Sequence, residues 1–425
     1  MKKIIFSVLA AILVLSTVSC SQTQVYGQEL KSDKKHDTSP EVSFSDFETL
    51  VDGNNEFALE LYRQLSDGDD GNLFFSPYSL SVALAMTYAG AEGATREQMA
   101  ETLNFILEEE DLHAAFNKLA IELAKRGEGN KSEDEECFKL NVVNAIWGQI
   151  EYAFLDEYLD TLVVNYDAGL RLLDFVSDPE ACRRTINEWV SEQTEGKIED
   201  LIKKGIISEV TRLVLTNAIY FNAAWDKPFD EDKTSDGIFY LPDGTTVTVP
   251  MMHQTEDFGY TEGDGYQAVE LKYDGNELSM LIILPEDGNF EQFKATFDAQ
   301  KLDGIVENIR TATVTLSMPK FEYSSQFSVK DALVTMGMKD AFSMVADLSG
   351  IDGSYDLFIE DVVHKAYISV DEAGTEAAAA SAVIINLKGI LEQAEVNLDH
   401  PFIYLIRDIE TNTILFVGRV MNPEA

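Results

Sequence analysis

Basic residues are scarce in this chain of 425 residues, with 32 Lys and Arg against 75 Asp and Glu and a formal charge of −43. A surface this acidic repels phosphate backbones, heparin-like chains and anionic lipid. The charge therefore excludes nucleic-acid binding and polybasic membrane binding. Because 45% of the residues are hydrophobic, the charge does not predict disorder, and the chain can form a large packed core.

Cysteine and histidine are also scarce. The three cysteines, Cys20, Cys137 and Cys182, and the five histidines stand at no spacing typical of a metal site. We therefore expect neither a metal nor a cofactor. Cys137 and Cys182 could form a disulfide only if their Cα atoms approach within about 7 Å, which their spacing does not decide. We interpret them as structural or free thiols.

Long apolar runs are limited to Ile4–Val18, which follows the basic start Met1-Lys2-Lys3. This run is shorter than the roughly 20 residues of a membrane span, so residues 1–19 are predicted to be a signal peptide. The small residues before Cys20 resemble a bacterial lipoprotein signal, in which Cys20 is lipidated and becomes the first mature residue. The alternative is simple secretion with an incidental cysteine. The predicted location is the bacterial cell envelope, periplasmic or at the cell surface, or the medium.

The rest of the chain is predicted to be one domain on a tether. Residues 20–44 are polar and lack a helical period, which indicates a lipidated N-terminus and a flexible tether. Residues 45–425 contain no internal linker. Helix signals come early, beginning with the i, i+4 stripe of Phe57, Leu61 and Leu65. Strand signals come late, over residues 213–222, 268–275, 278–285, 313–318, 401–408 and 413–420. This order predicts an α+β fold.

The common catalytic motifs are absent from the sequence, which contains no GxSxG, HExxH or Walker pattern. Ser317 and Lys320 match the S-x-x-K pattern, but the serine lies on a predicted strand that Pro319 interrupts. A catalytic pair would need both side chains on one face of a helix start. We therefore do not expect an enzyme, and a hydrolase would have to depend on Ser317.

Residues 368–389 fit no simple element. The run EAAAA over residues 376–380 favours a short helix, yet β-branched residues follow it. With a period of two, the segment has one face without charge, formed by Thr375, Ala377, Ala379, Ser381, Val383 and Ile385. The pattern indicates a latent strand, narrow in its first half, that ends in an accessible Lys388-Gly389 dipeptide.

Five blocks of this sequence resemble the serpins. The segment 372–381 is similar to the hinge of inhibitory members, and 400–423 is similar to their C-terminal signature. Three further blocks follow the family's order, at residues 72–99, 186–202 and 215–229. The resemblance implies helices packed on a large mixed sheet, with an exposed reactive loop.

In the serpins a protease attacks a bait bond in this loop and forms an acyl-enzyme. The cut loop then inserts into the main sheet as a new strand and distorts the protease. The resemblance therefore implies a monomeric, metastable suicide-substrate inhibitor that forms a covalent complex with serine proteases, without a heparin-like cofactor. The alternative is a non-inhibitory serpin-fold binding protein.

The resemblance also assigns roles to individual residues. The reactive bond is Lys388–Gly389, which favours trypsin-like proteases, and cleavage after Leu387 or Ile385 by elastase- or subtilisin-like enzymes is the alternative. The hinge residues are Glu372, Gly374, Thr375, Glu376, Ala377, Ala378, Ala379, Ala380 and Ser381. The residues that control sheet opening are Ser76, Ser79, Asn217, Trp225 and His364.

Overall fold

The computed structural model describes residues 27–68, 70–127, 138–375 and 392–424. The predicted signal peptide, Cys20 and Cys137 lie outside these residues. So do the hinge positions 376–381, the bond Lys388–Gly389 and the alternative positions Ile385 and Leu387.

The helices begin at recognisable caps. Ser43 accepts a hydrogen bond from the Asp46 amide at the start of the first helix, and Ser76 caps the second, with Pro77 as its first residue. The helices of the described residues are α1 Phe44–Ser66, α2 Pro77–Tyr88, α3 Gly93–Leu103, α4 Glu109–Ala124, α5 Asp156–Tyr166, α6 Pro179–Gln193, α7 Phe290–Ala295, α8 Ala299–Asn308, α9 Lys330–Met336 and α10 Ser349–Asp352. Short 3₁₀ turns cover Glu231–Lys233 and Asp340–Phe342.

The strands form two sheets. In chain order they are β1 Gln28–Leu30, β2 Leu73–Phe75, β3 Phe138–Gln149, β4 Leu170–Leu173, β5 Leu213–Ala224, β6 Ser235–Tyr240, β7 Thr246–Gly263, β8 Tyr266–Lys272, β9 Leu278–Pro285, β10 Arg310–Pro319, β11 Phe321–Ser328, β12 Val362–Val370, β13 Gly374–Thr375, β14 Gln393–Asn397, β15 Phe402–Asp408 and β16 Ile414–Val420. Within the described residues, the main sheet has the order β1-β4-β3-β5-β13-β12-β11. The second sheet has the order β14-β10-β7-β8-β9-β15-β16-β2, with β6 paired to β7. The predicted α+β class is confirmed.

Apolar side chains cover both faces of the main sheet. On one face, a large core joins it to α1, α2 and the second sheet. On the other face, α6 packs through Trp189, whose ring lies edge-on to that of Trp147 at 5.3 Å. Cys182 of α6 is a free thiol in this second cluster, and burial raises its pKa to about 11.

Residues 27–43 pack on the domain, unlike the flexible tether predicted for residues 20–44. Strand β1 pairs antiparallel with β4, so it extends the main sheet by one strand. The Asp37 amide donates to the Val164 carbonyl at 2.9 Å, and Lys118 Nζ donates to the Val42 carbonyl at 3.1 Å. The edge of β4 offers backbone groups that a polar segment can satisfy as well as an apolar one. Side-chain hydropathy alone therefore predicted the wrong state for these residues.

A search of the described residues found no helix long and apolar enough to cross a bilayer.

Candidate reactive-loop hinge and sheet opening

The main sheet contains a seam between β5 and β12. These strands pair in parallel from Leu215 with Val362 to Ile219 with Ala366. Beyond this ladder, β13 lies between them: Gly374 and Thr375 pair antiparallel with Ala224 and Ala223, and Thr375 also pairs with Val370. The strands β5 and β12 are therefore joined directly at one end and wedged apart at the other by the start of the hinge.

Thr375 is buried inside this wedge. Its side chain is 1% exposed, and its hydroxyl lies 2.9 Å from the hydroxyl of Tyr273. Thr375 is the first residue of the uncharged face that the sequence pattern predicts. Its side chain already lies inside the main sheet. The environment accepts a small, hydrogen-bonding group and excludes an unpaired charge.

Gly374 is required by a close backbone approach. A Cβ at this position would lie 2.3 Å from the Ala223 carbonyl oxygen. The conformation does not need a positive φ, because Gly374 is absent from the residues in that region. The sequence-based explanation, freedom of the backbone at a pivot, therefore differs from the one in the structure, which is lack of space.

Trp225 holds the base of the hinge. Its indole stacks on Tyr273 at 4.6 Å, and its Nε1 donates to the Asp371 carbonyl at 3.1 Å. Its amide donates to the Ala373 carbonyl at 2.9 Å. The tryptophan therefore contacts the backbone directly before β13; its predicted role in loop entry stays a prediction.

Glu372 forms the polar anchor of the hinge. Its carboxylate accepts hydrogen bonds of 2.6 Å from Lys320 Nζ and from the Thr234 hydroxyl. Burial disfavours the charged carboxylate, but the bonds from Lys320 and Thr234 outweigh it and lower the pKa of Glu372 below its usual value. This anchor joins the hinge to Lys320, which lies between β10 and β11, and to the residue before β6.

A polar cluster lies under the seam and bridges α2, β3, β5 and β12. It consists of Ser76, Ser79, Asn144, Asn217 and His364. Asn217 Nδ2 donates to Ser79 Oγ at 2.6 Å and to Asn144 Oδ1 at 2.7 Å. Ser76 Oγ donates to the Leu415 carbonyl at 2.7 Å. Since Asn217 and His364 are register partners across β5 and β12, opening the seam would separate them.

His364 is a neutral histidine in this cluster. The Ser76 amide donates to its Nε2 at 3.3 Å, so this nitrogen is unprotonated and Nδ1 donates to Asn217 Oδ1 at 2.5 Å. Burial lowers the pKa of His364 to about 3. The imidazole therefore joins the two strands without introducing a charge.

Four members of the cluster were predicted from the sequence, and Asn144 was missed. It stands in β3, among the alternating residues 138–149, and no local motif distinguishes it. Lys320, Thr234 and Tyr273 were likewise missed as partners of the hinge. Only the pairing of distant strands brings these residues to it.

The S-x-x-K match does not form a pair in the structure. Lys320 Nζ binds Glu372, whereas Ser317 Oγ lies 2.9 Å from His253 Nδ1 on the neighbouring strand. Both Ser317 and His253 are half-buried residues of a regular antiparallel ladder. This geometry gives no support to the lysine-activated serine that a hydrolase would require.

A family model described as serpin (serine protease inhibitor) matches residues 52–423. The chain therefore belongs to the serpin family, whose members are mostly protease inhibitors rather than enzymes.

Individual relatives cover most of the chain. An uncharacterized serpin-like protein of Thermococcus kodakarensis is 43% identical over 378 residues, or 88% of this chain and 86% of the relative. The leukocyte elastase inhibitor of Xenopus laevis is 40% identical and matches 88% of this chain and all of the relative. The native-state crystal structure of the thermophilic serpin tengpin aligns with a TM-score of 0.81 at 30% identity, covering 94% of this chain and 100% of tengpin.

Proposed function

We propose that this protein is a suicide-substrate inhibitor of serine proteases, with Lys388–Gly389 as the bait bond. Family membership and the similarity to leukocyte elastase inhibitors support protease inhibition in general. The observation that carries the finer proposal is the hinge start between β5 and β12, with Thr375 already buried. Cleavage would release the loop to continue along the register that Thr375 begins.

The small residues after Thr375 support inhibition rather than a non-inhibitory binding role. Ala377, Ala379 and Ser381 would follow Thr375 on the inward face, where a buried unpaired charge costs several kcal/mol. Such a cost slows insertion, and a protease whose acyl bond is hydrolysed first escapes. A hinge with small residues on this face allows the loop to insert faster than the acyl bond is hydrolysed.

Trypsin-like proteases are the proposed targets, because Lys388 would enter an acidic specificity pocket. Titrating trypsin with the protein should abolish trypsin activity at a ratio near one. The matched control is Lys388→Gln, which removes the bait charge and leaves the hinge intact. This variant should lose trypsin inhibition. If the variant inhibits trypsin as well as the wild type does, Lys388–Gly389 is not the bait bond. Cleavage after Leu387 or Ile385 would then be tested.

A polyanion cofactor is not part of the proposal. In the basic pair after α4, Arg126 is buried in an ion pair with Asp408 at 2.6 Å. Lys125 Nζ lies 3.0 Å from Glu122. A carboxylate thus neutralises each cation of this pair.

We further propose that the protein is held in a bacterial envelope by a lipid on Cys20. Expression in a bacterial host with labelled palmitate tests this point. The full chain should take up label and partition with membranes, whereas Cys20→Ser should do neither. Unlabelled wild-type protein in the medium would indicate simple secretion instead.

A further inference from the structure

The segment after α6 crosses the outer face of the main sheet. Residues 194–203, here named the strap, begin with a turn in which Thr194 Oγ1 accepts a hydrogen bond from the Ile198 amide at 3.1 Å. Ile198 and Leu201 are fully buried in the cluster that α6 forms on the sheet. The strap therefore packs directly against the sheet.

The strap and α6 together contact both sides of the seam. On one side, α6 packs on β3 through Trp189 and Trp147. On the other, Lys365 Nζ of β12 donates to the Glu199 carbonyl at 2.6 Å, and Gln326 Nε2 of β11 donates to the Leu201 carbonyl at 2.8 Å. Separating β5 from β12 must strain or release these connections.

Lys197 lies where the two strands part. Its Nζ is 5.9 Å from the ring centroid of Tyr220 in β5 and 5.5 Å from that of Tyr367 in β12. These tyrosines directly follow Ile219 and Ala366, the last pair of the direct ladder. One ammonium group thus contacts an aromatic ring on each side of the seam at the fork, within the range of cation–π attraction.

We propose that Lys197 is a latch that holds the seam closed and sets the rate at which the reactive loop inserts. The inference rests on the proposed function, since it concerns the insertion step. If the inserted loop continued the antiparallel register of Thr375, residue 378 would lie between Tyr220 and Tyr367. A strand inserted there widens the gap between β5 and β12 by about 4.8 Å.

The inserted strand would fill the space between the two rings, so the ammonium group could not move in between them, and at least one ring would lie farther from it than in the closed seam. The double contact of Lys197 therefore exists only while the seam is closed. An interaction present in one state and lost in the other shifts the equilibrium toward the first. The small Ala378 is consistent with this geometry, because its side chain would pass beneath the ammonium group.

The test measures insertion without a protease. An acetylated peptide of residues 376–386 is added to the intact protein, and its uptake is followed by native gel. Lys197→Met keeps an unbranched side chain that is one atom shorter and removes the charge, and it should accelerate peptide uptake about three- to tenfold. Lys197→Arg retains a cation and should keep the wild-type rate. Lys204→Met, an exposed lysine just beyond the strap, is the matched control and should also keep it.

The partner ring provides an independent check. Tyr367→Leu should accelerate uptake, Tyr367→Phe should not, and the Lys197→Met/Tyr367→Leu double variant should be no faster than the faster single one. If Lys197→Met takes up peptide at the wild-type rate, Lys197 is not a latch, and the proposed function is unaffected. The latch is also ruled out if the rate increase of the double variant equals the product of the two single increases. Failure of every variant and the wild type to take up peptide would contradict insertion itself, and with it the proposed function.

Discussion

Thr375 occupies the environment that the rest of the loop would meet on insertion. It is 1% exposed, and its hydroxyl bonds to Tyr273. The period-two pattern in the sequence singled out this face as free of charge. Burial gives that pattern a physical reason, because each inward side chain exchanges water for the interior of the sheet.

Thr375→Arg should convert the inhibitor into a substrate. The guanidinium would have to enter the sheet without a partner, at several kcal/mol, so insertion would fall behind hydrolysis of the acyl bond. The measurement is the ratio of inhibitor to trypsin needed for full inhibition, which should rise steeply. Thr375→Ser keeps the hydroxyl and should retain a ratio near one. Unchanged inhibition by the arginine variant would refute the insertion model.

Gly374→Ala should displace β13 from its place between β5 and β12. The added Cβ would lie 2.3 Å from the Ala223 carbonyl oxygen, so one backbone has to move. Because Trp225 bonds the Asp371 and Ala373 carbonyls, its fluorescence reports the displacement. Ala373→Gly, one residue earlier, adds no atoms and is the control. An alanine variant with the wild-type spectrum would show that the hinge does not depend on this close contact.

At the scale of elements, the polar cluster joins α2 and β3 to the two strands of the seam. Asn144→Ala should weaken this junction, because Asn217 Nδ2 loses one of its two acceptors, at 2.7 Å, and keeps only Ser79 Oγ. A buried donor left without a partner costs about 1–3 kcal/mol. The midpoint of the first urea transition should fall accordingly. Asn165→Ala on α5 removes only a bond to the Thr161 carbonyl of the same helix and should shift the midpoint far less.

The elements also differ in how far the sequence predicts them. Strand β9 is apolar apart from Ser279, and the residues predicted for it, 278–285, match the observed Leu278–Pro285. Strand β1 has no such signal, because it is held by backbone bonds to an edge and not by burial. Asn144 and Tyr273 reach the site through pairing between distant strands. Local patterns therefore predict elements that bury their own side chains, and they miss contacts that depend on topology.

At the scale of the molecule, two buried histidines make stability depend on pH. Burial lowers the pKa values of His113 and His364 to about 3, and Arg96 contributes to the effect at His113. Below about pH 6.5 the unfolded chain binds protons at these sites and the native chain does not. Each of these histidines then lowers the free energy of unfolding by about 1.4 kcal/mol per pH unit as the pH falls toward 3.

The native protein should therefore lose stability steadily between pH 6.5 and 4, measured as the midpoint of urea unfolding. The single variants His113→Gln and His364→Gln should each reduce the slope against pH, and the double variant should reduce it further. Glu372 acts in the same direction at the acid end, since its lowered pKa stabilises the native state only while it is ionised. A slope unchanged in the double histidine variant would contradict the assignment.

Capture of a protease by the cut loop is the central claim, and the mass of the product measures it most directly. The protein is mixed with trypsin, quenched in SDS and analysed by intact mass spectrometry. We expect a covalent complex of trypsin with the chain ending at Lys388, together with a released fragment that begins at Gly389. A chain cut at the same bond, without a covalent complex and beside fully active trypsin, would contradict it.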